Sequence, residues 1–183
     1  MATMLAISKW LKDRVVKPLG TGMEVVAGSF TARRWRYPIV RAECDVIIPC
    51  HDYERYLPAA ITSAQRQTVT PAEIIVVDDS SRWPRSVARI CRKHGVRHIR
   101  GEWGNVHRAR QAGFEASRSE FVTFLDADDV LSDDYIERGL AEFTHANVGL
   151  VYSDMLEFDK QSQLRQFVDP SQVDLSVTNH CHA

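Results

Sequence analysis

The chain has 183 residues, 23 Lys and Arg against 24 Asp and Glu, and a net charge of −1, which suits a soluble protein with one sizeable core. Its four cysteines, Cys44, Cys50, Cys91 and Cys181, form no C-x-x-C pair, which argues against a disulfide framework or a zinc site. No stretch approaches a membrane span and the amino terminus lacks the uninterrupted apolar core of a signal peptide, so a cytoplasmic location is expected.

The charge is unevenly spread. Residues 1–41 carry eight Lys/Arg against Asp13 and Glu24, a balance of +6, which leaves −7 on the remainder. This predicts a basic extension over 1–41 ahead of an acidic domain over 42–183. Met4, Ile7, Leu11 and Val15 recur at helical spacing, with Lys9, Lys12, Arg14 and Lys17 on other faces. An amphipathic helix over 3–17 is therefore predicted, packed on its own domain or, as the alternative, making peripheral contact with an anionic membrane. The run Arg33–Tyr37 mixes cations with aromatics, but no nucleic-acid-binding motif accompanies it. It reads as a solvated linker, and no nucleic-acid partner is expected.

From Cys44 the pattern becomes regular. Asp45–Ile48 reads as a buried strand stopped by Pro49, and Leu57, Ala60, Ile61 and Ala64 mark a helix that tolerates Pro58 in its first turn. Ile74–Val77 is a second strand ending in Asp78-Asp79-Ser80-Ser81, followed by a helix closed near Gly95 and a short strand at Val96–Ile99. Asn105 is placed to cap a helix whose small residues, Ala109, Ala112, Gly113 and Ala116, would let it lie close to a sheet. Ser132 is the expected cap of a further helix through Ile136, Leu140 and Phe143, with strands at Val148–Ser153 and Leu164–Val168. Strand and helix alternate through 45–153, which predicts a parallel, doubly wound sheet.

The stretch Phe121–Asp129, FVTFLDADD, carries the chemistry. Its continuous apolar run suits a strand covered on both faces, and the acids then fall at the strand's carboxyl end, the edge where open α/β sheets bind ligands. Extended backbone would put Asp126 and Asp128 on one face with Asp129 opposite. Carboxylates about 4 Å apart repel by roughly 4 kcal/mol at an effective dielectric near 20, so such a cluster holds a cation or shares a proton. Oxygen ligands of this kind suit Mg²⁺ or Mn²⁺; a solvated Asp-rich turn is the competing reading. A parallel sheet would bring Pro49–Asp52, Asp78–Ser81 and Asp126–Asp129 to one edge, lining a single pocket.

The segments DVIIPCHDYERYLPAAITSAQRQT, EIIVVDDSS and GNVHRARQAGFEASRSEFVTFLDADDVLSDDYIERGL, in that order, resemble the donor half of a family 2 glycosyltransferase with the GT-A fold, over about residues 44–155. The resemblance implies a Rossmann-like, mostly parallel α/β sheet and transfer of a sugar from a nucleotide-diphosphate donor, usually with inversion, in polysaccharide biosynthesis. The partner implied is a nucleotide-diphosphate sugar, a UDP-sugar first, with a glycan, lipid or protein acceptor left open. Pro49, His51, Asp52, Asp78, Arg110 and Asp126 take the donor-binding positions. His51 stands where the family often has a stacking Tyr, Asp52 where Asn is frequent, and Gln111 replaces a common Asn. Asp78 is expected to hydrogen-bond the base and Asp79 to cap the next turn. Asp128, with Asp126, would hold Mn²⁺ or Mg²⁺ against the diphosphate, easing departure of the nucleotide.

An inverting transferase also needs a base for the acceptor hydroxyl, and the chain stops about where the acceptor half of such an enzyme should begin. A truncated enzyme without its base is expected; Asp154, Asp159 and the terminal His180 and His182 are weak substitutes. The alternatives are an idle nucleotide-sugar-binding module and a receiver-type phospho-acceptor domain, which would set Asp78, Asp79 and Asp126 around Mg²⁺.

Overall fold

The computed structural model describes residues 6–8, 43–143, 150–151, 153, 155–157 and 163–165. In chain order the elements are β1 (Ala6–Ser8), β2 (Cys44–Cys50), α1 (Leu57–Gln65), β3 (Ile74–Asp79), α2 (Pro84–His94), β4 (Arg97–Gly101) and α3 (Val106–Ala116). These are followed by β5 (Phe121–Phe124), α4 (Tyr135–Glu142), β6 (Leu150–Val151), β7 (Met155–Glu157) and β8 (Gln163–Arg165). Six strands form one sheet in the order β4-β3-β2-β5-β1-β6, and β7 and β8 form a separate antiparallel pair. The four strands β4, β3, β2 and β5 run parallel, as the strand–helix alternation predicts.

Every residue of β2, β3 and β5 is buried, which is why these runs are apolar without alternating. One face of the sheet offers Val46, Ile48 and Val76 to Leu57, Ala60, Ile61 and Ala64 of α1 and to Val87 and Cys91 of α2. The opposite face offers Ile47, Ile75, Val77, Val122 and Phe124 to Ala109 of α3. Ile47, Ile48 and Ile75 are wholly enclosed, and burial on that scale stabilises by about 1.5–3 kcal/mol per side chain. Gly113 sets the depth at which α3 lies: a Cβ there would run into Ile47 Cγ2 and come within 3.0 Å of Val77 Cγ2.

The helix boundaries follow local chemistry. Both α1 and α2 begin with Pro in the first turn, where its missing N–H costs nothing. Gly95 ends α2 in the left-handed conformation at φ 67° after Arg92, Lys93 and His94, cations suited to a helix carboxyl end. Asn105 caps α3, its side chain accepting the His107 N–H at 2.8 Å.

Two expectations are corrected. Residues 6–8, predicted as part of a helix, form β1, which pairs antiparallel with both β5 and β6. Pairing between two strands overrides a weak helical periodicity; the rest of 3–17, the Arg33–Tyr37 run and the boundary at 41 lie outside the described residues. Ser132 does not cap α4, which begins two residues later than expected, after Asp134. The Ser132 carbonyl instead accepts Gln67 Nε2 at 2.6 Å, and Gln67 Oε1 accepts the Ile136 N–H at 2.9 Å, so a buried glutamine just beyond α1 anchors the start of α4. The strand expected at Val148–Ser153 overlaps the two-residue β6, and the one at Leu164–Val168 overlaps β8.

Candidate functional site

Strands β2, β3 and β4 are laid down in one direction across the sheet, and α3 then carries the chain back past β2 to place β5 on its other side. The order reverses at β2, and such a reversal opens a crevice beyond the carboxyl ends of the strands. The register deepens it. Cys50 of β2 pairs with Asp78, whereas β5 ends at Phe124 opposite Ile47. Beyond Phe124 the chain turns through Asp126–Asp129, with the Asp129 N–H donating to the Asp126 carbonyl at 3.0 Å. A cleft of about 540 Å³ lies there, within the range of small-molecule sites. Its walls are Pro49, Cys50, His51 and Tyr53 after β2, Asp79 of β3, Gly104–Val106, Ala109 and Arg110 at the start of α3, and Asp126–Asp128 after β5.

Of the residues expected at the site, the structure brings together Pro49, His51, Arg110, Asp126 and Asp128. Arg110 Nη2 donates to Asp126 Oδ1 at 2.7 Å, with both side chains largely enclosed. His51 Nδ1 meets the Asp79 carbonyl; a carbonyl only accepts, so that nitrogen carries the proton. Asp128 is exposed, whereas Asp129 is turned inward. Burial pushes the Asp129 carboxyl up to about 6, and the neighbouring Asp128 and Asp126 charges add to the rise. The acids thus sit on a tight turn and not on extended backbone, although Asp126 and Asp128 both still reach the cleft.

Two of the expected residues lie elsewhere. Asp78 is not on the wall of the cleft: its side chain is fully buried, accepting Arg100 Nη1 at 2.5 Å and the Ser81 N–H at 3.0 Å, with His98 Nε2 at 3.6 Å. Burial alone would raise its pKa, but the hydrogen bonds from Ser81 and Arg100 outweigh it and hold the carboxyl below the usual carboxylate range. Asp52 also stays off the wall. Its Oδ1 accepts the Arg82 N–H at 2.6 Å and its own N–H donates to Ser81 Oγ at 3.1 Å, pinning the loop after β2 to the loop after β3. Its φ of 59° is left-handed, a conformation Asp and Asn tolerate better than most residues.

Sequence reasoning gave the base-facing position to Asp78 and a turn-capping role to Asp79, whereas it is Asp79 that lines the cleft. Its Oδ1 accepts the N–H groups of Trp103 and Gly104 at 2.7 and 2.9 Å, and its Oδ2 accepts that of Asn105 at 3.1 Å. Tyr53, 44% exposed, also borders the cleft. Burial pushes the Cys50 thiol up to about 11, so it is no nucleophile near neutral pH.

The cleft suits a hard divalent cation in one specific sense. Among the described residues no three His, Cys, Asp or Glu side chains gather around one point, while Asp126 and Asp128 both line the cleft. Mg²⁺ and similar ions are held in this manner, by one or two carboxylates with water and substrate phosphate completing the shell. Among the described residues no helix is long and apolar enough to cross a membrane.

Comparison with known proteins agrees with this fold. The O-antigen biosynthesis protein RfbC of Myxococcus xanthus is 33% identical over 138 residues, covering 71% of this chain and 10% of that protein. The uncharacterized glycosyltransferase EpsJ of Bacillus subtilis is 28% identical over 134 residues, covering 70% of this chain and 38% of that one. Among solved structures, the mannosyltransferase PcManGT from Pyrobaculum calidifontis, in complex with GDP-Man and Mn²⁺, superposes with a TM-score of 0.51 at 22% identity, over 61% of this chain and 35% of that one. The likeness is one of fold, the GT-A arrangement. The chain thus spans well under half the length of the relatives it matches. The glycosyl transferase family 2 model matches residues 45–171, most of the chain, and with the crevice and its acids in place we conclude that this chain belongs to glycosyl transferase family 2.

Proposed function

We propose that the chain forms the donor-binding half of an inverting glycosyltransferase that takes its sugar from a nucleotide diphosphate, a UDP-sugar first. The observation that carries this reading is the single cleft at the reversal point of the sheet, into which Asp126, Asp128 and Arg110 project from two different elements. In this reading Pro49 and His51 border the nucleoside and Asp128, with Asp126, holds Mn²⁺ or Mg²⁺. Held there, such an ion would supply positive charge against the departing diphosphate.

The chain's own residues do the rest. Arg110 holds the Asp126 carboxylate in one orientation and adds a fixed positive charge to the diphosphate end. His51, with Nδ1 committed to the Asp79 carbonyl, keeps its remaining ring edge for the ligand. The acceptor and the base that activates its hydroxyl are left unassigned.

Calorimetric titration with UDP-glucose, UDP-GlcNAc and GDP-mannose, with and without Mn²⁺, tests the reading. We expect metal-dependent binding of at least one donor, weakened about a hundredfold in Asp128→Ala, the scale of losing a charged ligand contact. Unchanged affinity in that variant would overturn it. Donor binding with neither transfer nor hydrolysis would favour a binding module.

A further inference from the structure

No Asp or Glu occurs between Asp79 and Glu102, although residues 42–183 together carry −7, and most of the cations in that stretch gather on α2. Arg85, Arg89 and Arg92 follow at intervals of four and three residues, which sets them in one stripe along the helix, with Lys93 beside it and Arg82 just before it. All five are exposed. Arg82 reaches Asp52 at 3.9 Å, whereas Arg85, Arg89, Arg92 and Lys93 form no ion pair among the described residues. At the head of the helix stands Trp83, 61% exposed, more than any other large apolar side chain described. Helix α1, tied alongside by Gln65 Nε2 donating to the His94 carbonyl at 2.8 Å, bears no charge from Leu57 to Gln65.

This stripe works against the stability of its own helix. Arg92 and Lys93 suit the carboxyl end, but Arg85 lies in a first turn that has no acid, where the helix dipole disfavours a cation. Arg85 with Arg89, and Arg89 with Arg92 and Lys93, are like-charge neighbours that repel. An anionic partner relieves both penalties. The apolar side of α2, with Val87 and Cys91, is buried in the core, so the partner meets guanidinium groups and receives no inserted helix. Nucleic acid fits less well, because single strands are gripped in basic grooves with aromatic platforms, and this stripe lies on the outside of one helix with its Trp at the end.

We propose that the outer face of α2 docks the protein on an anionic membrane surface, its guanidinium groups meeting lipid phosphates and Trp83 seated among the headgroups. A cluster of Lys and Arg on one helix face is what an anionic leaflet attracts, and Trp favours the headgroup level. The Arg82 N–H donates to Asp52 Oδ1 at 2.6 Å, so the head of the stripe adjoins the loop that carries His51 to the cleft. As the crossover between the parallel strands β3 and β4, α2 runs from there back along the sheet. No residue of α2 lines the cleft, so docking along the helix holds the cleft beside the membrane without covering it. The proposal goes beyond the donor-site reading and does not depend on it.

The test is sedimentation of the full chain with vesicles of phosphatidylcholine alone and of equal parts phosphatidylcholine and phosphatidylglycerol. Binding is expected to the anionic vesicles only, and to disappear as salt rises from about 0.1 M to about 1 M. Arg85→Gln combined with Arg89→Gln is expected to weaken it about twentyfold, on the order of fivefold per cation. Arg118→Gln combined with Arg138→Gln removes two exposed cations outside α2 and is expected to leave affinity within about twofold. An equal loss in both pairs would overturn the proposal as an effect of net charge alone. Undiminished binding by the α2 pair would overturn it by placing the contact on another segment, the basic residues 1–41 included. Retention on duplex DNA without vesicle binding would replace it with a nucleic-acid partner. Failure of the unaltered chain to bind anionic vesicles would end it whatever the affinity for UDP, which tests the donor site separately.

Discussion

Asp78 and Asp79 are adjacent carboxylates at the end of one strand, and the pleat sends them to different duties. Asp78 is held by Arg100 and Ser81 beneath the surface, while Asp79 borders the cleft and organises a loop. Because the folded state depresses the Asp78 pKa below its ordinary value of 3.8, its ionised form contributes stability above that pH. The contribution is lost as pH falls through the lower folded value. Asp78→Asn is therefore expected to lower unfolding free energy at pH 7 by about 3 kcal/mol, the scale of breaking a buried ion pair. In urea titrations the gap from the unaltered protein should close below about pH 4, and a gap independent of pH would contradict the assignment. Which of the two acids faces the ligand was not legible in EIIVVDDSS, because a run buried on both faces gives no alternation to read. His51, Asp126 and Asp128 were legible because each stands just beyond a strand, and Arg110 only through the resemblance of its helix to that of the family. Asp45, enclosed and accepting Ser117 Oγ at 2.6 Å and Ser119 Oγ at 2.7 Å, gave no such signal: its partners are more than seventy residues away.

At the scale of elements, α3 links the core to the cleft. Its small residues face Ile47 and Val77, and its first turns bring Asn105, Val106 and Arg110 to the cleft wall. Helix propensity alone would make Gly113→Ala stabilising by about 1 kcal/mol. The collision of the new Cβ with Ile47 Cγ2 reverses the sign, because overpacking a tight core costs about 1–3 kcal/mol. We expect Gly113→Ala to lower the chemical-denaturation midpoint and to weaken donor binding by displacing Arg110; a stabilised variant would contradict the packing described. The periodic pattern of this helix and its Asn cap could be read directly from the residues. By contrast, the apolar spacing at Met4, Ile7, Leu11 and Val15 misled, because β1 is only three residues long and is defined by its partners β5 and β6. Ser132 misled for a related reason: its hydrogen bonds go to Gln67, a partner sequence spacing does not reveal.

For the molecule as a whole, the controlling feature is the reversal of strand order at β2. It places segments separated by some seventy-five residues, Pro49–His51 and Asp126–Asp128, on one crevice. The ordered succession of apolar runs ending in acids made this arrangement readable, since parallel strands must present their carboxyl ends together. What it did not reveal was the early end of β5 at Phe124, which makes room for the turn that carries Asp126 and Asp128. The central claim is that this crevice grips a diphosphate through a cation held by those two acids. Electron paramagnetic resonance of Mn²⁺ tests it most directly. With UDP present, the unaltered chain should convert the free-ion spectrum to a bound one, with little conversion by protein alone and little more than the nucleotide itself gives in Asp128→Ala. An identical bound spectrum in Asp128→Ala, or one indifferent to UDP, would contradict it.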